Sequence, residues 1–295
     1  MLETGLHGKV VLITGANHGI GAATAKAFAA EGAAILISYL RLPPLVGPGQ
    51  ASSKADDLTV PGLALYNARR ATSAHEVVQA IRANGGRAEA MEADLSDPAT
   101  IPLLFDHAEA VFGPVDVLVN NADASEADTF APQSQLGPQN HAPAGNAVST
   151  ITHESHDFHF AVNSRAVALM MAEFARRRIE RGLHGGRIIN ISTDGAPGFV
   201  NEISYGASKY AMESYTRAAA LELGKYGITA NIVSPGPIQT GWISPELEAK
   251  IAEETPLGRV GYPEDIADVV VFLASKQGRW VTGQMISVSG GRRMS

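Results

Sequence analysis

Val10-Val11-Leu12-Ile13-Thr14-Gly15-Ala16-Asn17-His18-Gly19-Ile20-Gly21 governs how the rest of the chain is read. Its first four residues are apolar and mostly β-branched, which predicts a strand buried inside a parallel sheet. A glycine-rich turn follows at once. Residues 22–31 then have the composition of a helix, and Gly32 ends it. Strand, turn and helix in this order form a phosphate cradle. Glycines let the main chain approach a pyrophosphate, and the helix N-terminus offers free N–H groups and the positive end of its dipole. The spacing is Gly-x-x-x-Gly-x-Gly. The strand and helix around it argue for a ligand cradle over a plain structural turn.

Outward from this stretch the pattern repeats. Ile35-Leu36-Ile37-Ser38-Tyr39 reads as a second strand. A site for NAD(H) usually carries an acidic residue at this strand's end, and an arginine nearby suits the extra phosphate of NADP(H). Tyr39 and Leu40 stand in the acid's place and Arg41 follows. NADP(H) is therefore favoured over NAD(H), with Arg41 as a plain surface arginine the alternative. His18, inside the glycine turn, is placed to touch a phosphate.

Residues 73–84 predict a helix with Ser73 and Glu76 at capping-box spacing. Residues 87–92 follow as a strand, with Asp94 beyond it as a helix cap or an acceptor for an adenine amino group. A helix over 101–112 precedes a strand over 115–119 that ends in Asn120-Asn121-Ala122-Asp123. A long helix is expected over 158–181, with Arg176-Arg177-Arg178 as a solvated face. Further strands are expected over 187–192, 228–233 and 284–288, and helices over 205–226 and 263–275. Residues 238–259 are the natural substrate lid. The stretches 42–71 and 126–150 read as insertions. With no composition break, the whole chain, 1–295, predicts an α/β fold: one doubly wound domain, a parallel sheet of about seven strands with helices on both faces.

Composition narrows the function. The chain has 295 residues, 45% of them hydrophobic, enough for one large core. It has no cysteine, so disulfides and thiolate chemistry are excluded. The net charge of -7 argues against a nucleic-acid partner. No apolar run reaches the roughly 18 residues of a membrane span, and no signal-peptide pattern opens the chain, so a cytoplasmic location is expected. His153, His156 and His159 recur at three-residue steps, but no acidic or cysteine set completes a metal site, and surface histidines are the reading adopted.

The chemistry is concentrated in Ser204-Tyr205-Gly206-Ala207-Ser208-Lys209, with Ser192 thirteen residues before Tyr205. On a helix, Tyr205 and Lys209 lie one turn apart on one face. A phenol is a poor proton shuttle at neutral pH unless its anion is stabilised, and an ammonium one turn away does that. Ser192, at a strand's carboxyl end, can hold the oxygen of a carbonyl or alcohol beside the phenol.

These residues together resemble the short-chain dehydrogenase/reductase family, from Gly8 to Gly291 apart from the two insertions. The matching pieces are residues 14–21, Asp94, Asn120-Asn121-Ala122, Asn163, Ser192, Tyr205-x-x-x-Lys209 and Pro235-Gly236. The run Thr255-Pro256-Leu257-Gly258-Arg259-x-Gly261-x-Pro263-Glu264-Asp265-Ile266-Ala267 resembles the 3-oxoacyl-carrier-protein-reductase-like branch. The resemblance implies a Rossmann-type fold and hydride exchange between a nicotinamide and a small ketone or 3-oxoacyl substrate. Tyr205 is then the acid or base, Lys209 lowers its pKa and holds the nicotinamide ribose, Ser192 orients the substrate oxygen, and Asn163 holds a relay water. Gly15, Asn17, Gly19, Ile20 and Gly21 are implied to cradle the phosphates. Asp94 and Leu95 would touch adenine, Asn120 and Ala122 the adenosine side, and Pro235, Gly236, Ile238 and Thr240 the nicotinamide end. A homotetramer or homodimer built on the Asn163 and Tyr205 helices is implied too. Asp123, where glycine is usual, and the two insertions depart from the family pattern. The alternatives are a non-catalytic dinucleotide-binding regulator on the same fold and a scaffolding protein. A binding module needs no proton relay, which counts against both.

Overall fold

Val10–Thr14 forms strand β1, and every residue of it is buried. In this computed structural model, which describes residues 3–42, 58–137 and 147–292, β1 lies inside a parallel sheet. The chain continues through α1 (Gly19–Ala30), β2 (Ala34–Tyr39), α2 (Leu63–Arg70), α3 (His75–Ala83), β3 (Arg87–Glu92), α4 (Thr100–Val111) and β4 (Val117–Asn120). It then adds β5 (Asp128–Thr129), β6 (Ser149–Thr150), α5 (His153–Phe160), α6 (Val167–Glu180), β7 (Gly186–Ile191) and α7 (Ile203–Leu223). The last elements are β8 (Ile228–Pro235), α8 (Pro245–Glu254), α9 (Pro263–Ala274) and β9 (Met285–Val288).

The main sheet has seven strands in the order β3-β2-β1-β4-β7-β8-β9, all parallel. This is the doubly wound α/β sheet that the sequence predicts. The chain winds outward from β1 to β3, then returns to continue from β4 on the other side. The carboxyl ends of β1 and β4 therefore send their loops apart and leave a crevice, where ligands bind in such sheets.

Strand pleating builds the core in two layers. Val11 and Ile13 face one side with Phe28 of α1, Ile81 of α3 and Val270 of α9. Val10 and Leu12 face the other, with Phe105 of α4, Met170 and Phe174 of α6 and Met212 of α7.

The structure departs from the sequence reading in several places. The helix expected over 158–181 starts earlier, at His153, where Thr152 caps it by accepting from the Ser155 N–H. A π-helical turn, Ala161–Ala166, interrupts it before α6. Arg178 is no part of a solvated face. It is buried and donates to the carbonyls of Val115 and Gly185, tying the starts of β4 and β7 together. Ser73 and Glu76 make no capping box, because α3 begins one residue later than that spacing needs. Ala74 occupies the cap, and the Ser73 hydroxyl accepts from the His75 N–H instead. Residues 43–57 and 138–146 of the two expected insertions lie outside the described residues. The described remainder holds α2 and the short parallel pair β5–β6. Among the described residues no helix is long and apolar enough to cross a membrane.

Phe28 is fully buried between β1 and α9, and truncating it leaves a cavity that rigid neighbours cannot fill. Phe28→Ala should cost about 3–5 kcal/mol of unfolding free energy in a denaturant titration. A cost under about 1 kcal/mol would contradict this packing.

Candidate active site

One stripe of α7 faces β7. Lys209 is buried, and its Nζ donates to the Ile191 carbonyl at 3.0 Å, at the carboxyl end of the strand. Tyr205 sits one turn earlier, with the Lys209 Nζ 5.7 Å from its ring centroid. Further along the stripe, Glu213 accepts from the Ser192 hydroxyl at 2.7 Å. Thr216 accepts from Asn190 Nδ2 at 2.7 Å, and Asn190 Oδ1 accepts from Asn120 Nδ2 at 2.7 Å.

This seam corrects two expectations. Asn120 turns its side chain into the core, not towards a cofactor, because Asn190 holds it there. Its neighbour Asn121 lines the crevice, where Nδ2 donates to the carbonyls of Thr14 and Gly15 and pins the glycine turn. Ser192 sends its single proton to Glu213 and not into the crevice. Asn163 is likewise committed. Its Oδ1 accepts from the Ala124 N–H, and its Nδ2 donates to the Ala124 carbonyl and the Ser208 hydroxyl. Its amide hydrogens are thus spent on the loop after β4 and on the Ser208 hydroxyl of α7.

A cavity of about 900 Å³ runs from the glycine turn to Tyr205. Gly15, Asn17, His18, Gly19, Ile20 and Ala122 line its floor near α1, and Tyr39, Asp94 and Leu95 line the ends of β2 and β3. Pro235, Gly236, Ile238 and Thr240 line it after β8, and Ser192, Tyr205 and Lys209 reach it from β7 and α7. Gly21, Arg41, Asn120 and Asn163 do not line it. Gly21 lies behind the turn, where a Cβ would fall 2.5 Å from the Gly15 carbonyl oxygen. Gly15, at φ +63°, lets the turn touch the loop after β4, since a Cβ there would sit 2.7 Å from Ala122 Cα. Arg41 lies outside, where its guanidinium forks onto the Glu92 carboxylate at 2.7–3.0 Å.

Two polar atoms in the cavity wall fit a dinucleotide. The Ser38 hydroxyl at the end of β2 and the His18 Nδ1 in the glycine turn are buried without a hydrogen-bond partner. They stand where a ribose and a phosphate would lie over the cradle. Sequence reasoning missed Ser38, and it missed Tyr66 and Arg70 of α2, which also line the cavity. Tyr66 sits edge-on to His18 and Arg70 stacks over Tyr66. Arg69 donates to the Thr240 carbonyl at 3.0 Å, so α2 bridges to the expected lid. No local sequence pattern announces these contacts across the fold.

The histidine triplet has other work. His159 is buried, with Nε2 accepting from the Glu126 N–H and Nδ1 facing the Ser155 carbonyl. His156 stacks on Phe160. Among the described residues no group of three or more His, Asp or Glu side chains could hold a metal ion.

Burial dominates the electrostatics. It pushes the Tyr205 phenol well above its ordinary pKa, and the carboxylates of Asp123 and Glu202 push it the same way. The net displacement is upward, opposite to the direction in which a neighbouring ammonium acts. Lys209 is itself pulled down by burial. Burial also lifts Tyr66 to about 12 and lowers His18 to about 4, so His18 is neutral at pH 7.

Family models match almost the whole chain. Residues 9–46 match the model described as short chain dehydrogenase, and residues 48–293 match that described as enoyl-(acyl carrier protein) reductase. The chain belongs to the short-chain dehydrogenase/reductase family. This short-chain dehydrogenase/reductase is 37% identical to an NADPH-dependent aldehyde reductase-like protein, chloroplastic, of Arabidopsis thaliana, over 97% of this chain and 94% of that one. Its structure is similar to a blue fluorescent protein from a metagenomic library in complex with NADPH, at TM-score 0.72 and 33% identity, covering 98% and 99% of the chains. It is also similar to a Burkholderia cenocepacia short chain dehydrogenase in complex with NADP, at TM-score 0.74 and 29% identity, covering 97% and 98%.

Asp123 is the acidic neighbour common to much of this cavity, acting on His18, Tyr66, Glu202, Tyr205 and Lys209. Glu202 is lifted from 4.5 to about 7, first by burial and then by Asp123 and Asp128. Between those two values the native state keeps a proton that the unfolded chain has released. Stability from this group is therefore present below the window and lost as pH rises through it. Glu202→Gln should melt with the unmodified protein near pH 4 and above it at pH 8, in thermal unfolding followed by circular dichroism. The same offset at both pH values would contradict the assignment.

Proposed function

We propose that the protein is an NADP(H)-dependent oxidoreductase that interconverts a carbonyl compound and its alcohol, and that it works as a reductase. The observation that carries this is Tyr205: half-buried in the cavity wall, one turn from a buried Lys209, with its phenol held protonated at neutral pH. A protonated phenol is the acid that carbonyl reduction needs. The names of the Arabidopsis relative and of the NADPH- and NADP-bound neighbours support the cofactor and the reaction class.

Reduced nicotinamide held in this cavity would supply the hydride for the carbonyl carbon. Tyr205 gives its proton to the carbonyl oxygen, so hydride and proton together convert C=O to CH–OH. Lys209 holds a positive charge beside the ring and offsets the phenolate that Tyr205 becomes. Asn163 fixes the loop after β4 through Ala124 and the α7 helix through Ser208. Gly15, Asn17, Gly19, Ile20 and the N-terminus of α1 cradle the phosphates. Asp94 and Leu95 take the adenine end, Pro235, Gly236, Ile238 and Thr240 the nicotinamide end. Ser38 and Arg41 favour NADP(H) over NAD(H). Arg41 and Glu92 form an exposed pair of small net worth, so an added phosphate can draw the guanidinium away cheaply. The substrate is a ketone or 3-oxoacyl compound, and the Arabidopsis relative's name adds aldehydes to the class. Exposed Leu169 on α6 and Tyr210, Tyr215 and Leu221 on α7 support a homotetramer or homodimer built on those helices.

Tyr205→Phe keeps the ring and removes the acid. It should lower the NADPH-dependent reduction rate by about 100-fold or more. Cofactor affinity, read by NADPH fluorescence, should change by less than about threefold, because the phenol is the reacting acid and not part of the phosphate cradle. A variant that folds and still turns over would overturn the proposal.

A further inference from the structure

The helix α2 lies in the first insertion, one of the places where the chain departs from the family pattern, and it is tied to the crevice on both sides. The Gly62 N–H donates to the Gly241 carbonyl at 2.7 Å, and Arg69 donates to the neighbouring Thr240 carbonyl at 3.0 Å. On the other side, the Leu42 N–H just past β2 donates to the Arg70 carbonyl at 3.2 Å, and Asn17 Nδ2 of the glycine turn donates to the Thr72 carbonyl at 2.9 Å. The helix therefore spans from the segment after β8 to the end of β2 and crosses the glycine turn. Tyr66 and Arg70, one helical turn apart, both line the cavity. The Tyr66 ring stands edge-on to His18, with centroids 5.7 Å apart, and the Arg70 guanidinium lies 5.5 Å from the Tyr66 centroid. A guanidinium stacked by its face keeps its edge N–H groups for an acceptor. Among the described residues the half-buried Arg70 side chain makes no ion pair and no hydrogen bond. Next to it, His18 Nδ1 is buried without a partner. Burial lowers His18 to about 4, and Arg70 and Arg69 act in the same direction against Asp123, so their positive field reaches the glycine turn.

We propose that the first insertion completes the cofactor site: α2 roofs the glycine turn, and Arg70 is the cation that clamps the cofactor's pyrophosphate from the side opposite that turn. The N-terminus of α1 already favours negative charge in this space. A guanidinium in the cavity wall with no carboxylate on it is matched by the same anion, because its forked N–H groups suit phosphate oxygens. Tyr66 holds the guanidinium over the turn. The bonds to Thr240 and Gly241 brace the helix, and Gly241, at φ +114°, permits that approach, since a Cβ there would fall 3.0 Å from Arg69 Nη1. A cation in the last turn also suits the helix dipole, but the dipole leaves such a side chain in solvent, as it leaves Arg69, the exposed neighbour. Arg70 and Arg41 have separate tasks. Arg41 stands outside the cavity beyond β2, on Glu92, where only the extra phosphate of NADP(H) can draw it. Arg70 stands inside, over the part that NADPH and NADH share.

This assignment rests on the proposed dinucleotide binding, and the test separates the two. Arg70→Ala and Arg70→Lys are compared with the unmodified protein for NADPH and NADH affinity by cofactor fluorescence, at low and at high salt, and for melting temperature. Arg70→Ala should lose about tenfold or more in affinity for NADPH and for NADH alike. Arg70→Lys keeps the charge and should return both affinities to within about threefold of the unmodified protein. The deficit of Arg70→Ala should shrink as salt is raised, as a lost charge contact requires. Unchanged affinity for both cofactors in Arg70→Ala would overturn the assignment and leave the dinucleotide reading standing. A loss confined to NADPH, the pattern expected of Arg41→Ala, would put Arg70 on the extra phosphate and overturn it too. Equal losses in the alanine and lysine variants, with a lowered melting temperature, would make Arg70 a structural part of α2 and overturn it as well. An unmodified protein that binds neither cofactor overturns the dinucleotide reading, and this assignment with it.

Discussion

Lys209, Glu213 and Thr216 lean from one face of α7 onto Ile191, Ser192 and Asn190 of β7 and its end, and this polar seam fixes where the Tyr205 phenol stands. A lysine, a glutamate and a threonine buried in that position are costly unless each finds a partner. Here each does, and a register slip of the helix by one residue would strand them all. The seam extends sideways through Asn190 to Asn120 at the end of β4. It thereby locks the strand next to β1 as well. Tyr205 is the next position on the same helix face, one turn beyond the last buried contact, and so it emerges at the crevice between the ends of β1 and β4.

Two opposed influences meet at that phenol. Lys209 favours the phenolate, whereas burial and the nearby acids Asp123 and Glu202 favour the phenol. Burial wins, because a low-dielectric wall penalises the anion more than one ammonium, itself weakened by burial, can offset. The Tyr205 phenol therefore stays protonated at neutral pH. The α2 helix closes the same space from outside. Tyr66 on His18 and Arg69 on Thr240 link the glycine turn to the segment after β8, so part of the first insertion becomes a wall of the cavity.

The fold was readable because its signals are local. Val10–Thr14, the glycine turn and α1 announce each other within twenty-one residues, from Val10 to Ala30, and the strand–helix alternation carries a parallel, doubly wound sheet with it. Tyr205 and Lys209 were readable for the same reason, since helical periodicity joins them. What was not readable depends on partners far along the chain. Arg41 meets Glu92 fifty-one residues away, and Ser192 meets Glu213 twenty-one residues away. Asn120 faces Asn190 across seventy residues, and only the folded sheet shows that its side chain points inward. Arg178 looked like one of three surface cations, yet the open carbonyls of Val115 and Gly185 draw it into the core.

Titrating the protein separately with NADPH and NADH, following cofactor fluorescence, tests the central claim most directly, because reduction, proton donor and cavity all presuppose that dinucleotide. Saturable binding of both, tighter for NADPH, is the result predicted by the glycine cradle, the free Ser38 hydroxyl and the arginine beyond β2. Binding of neither cofactor would contradict it.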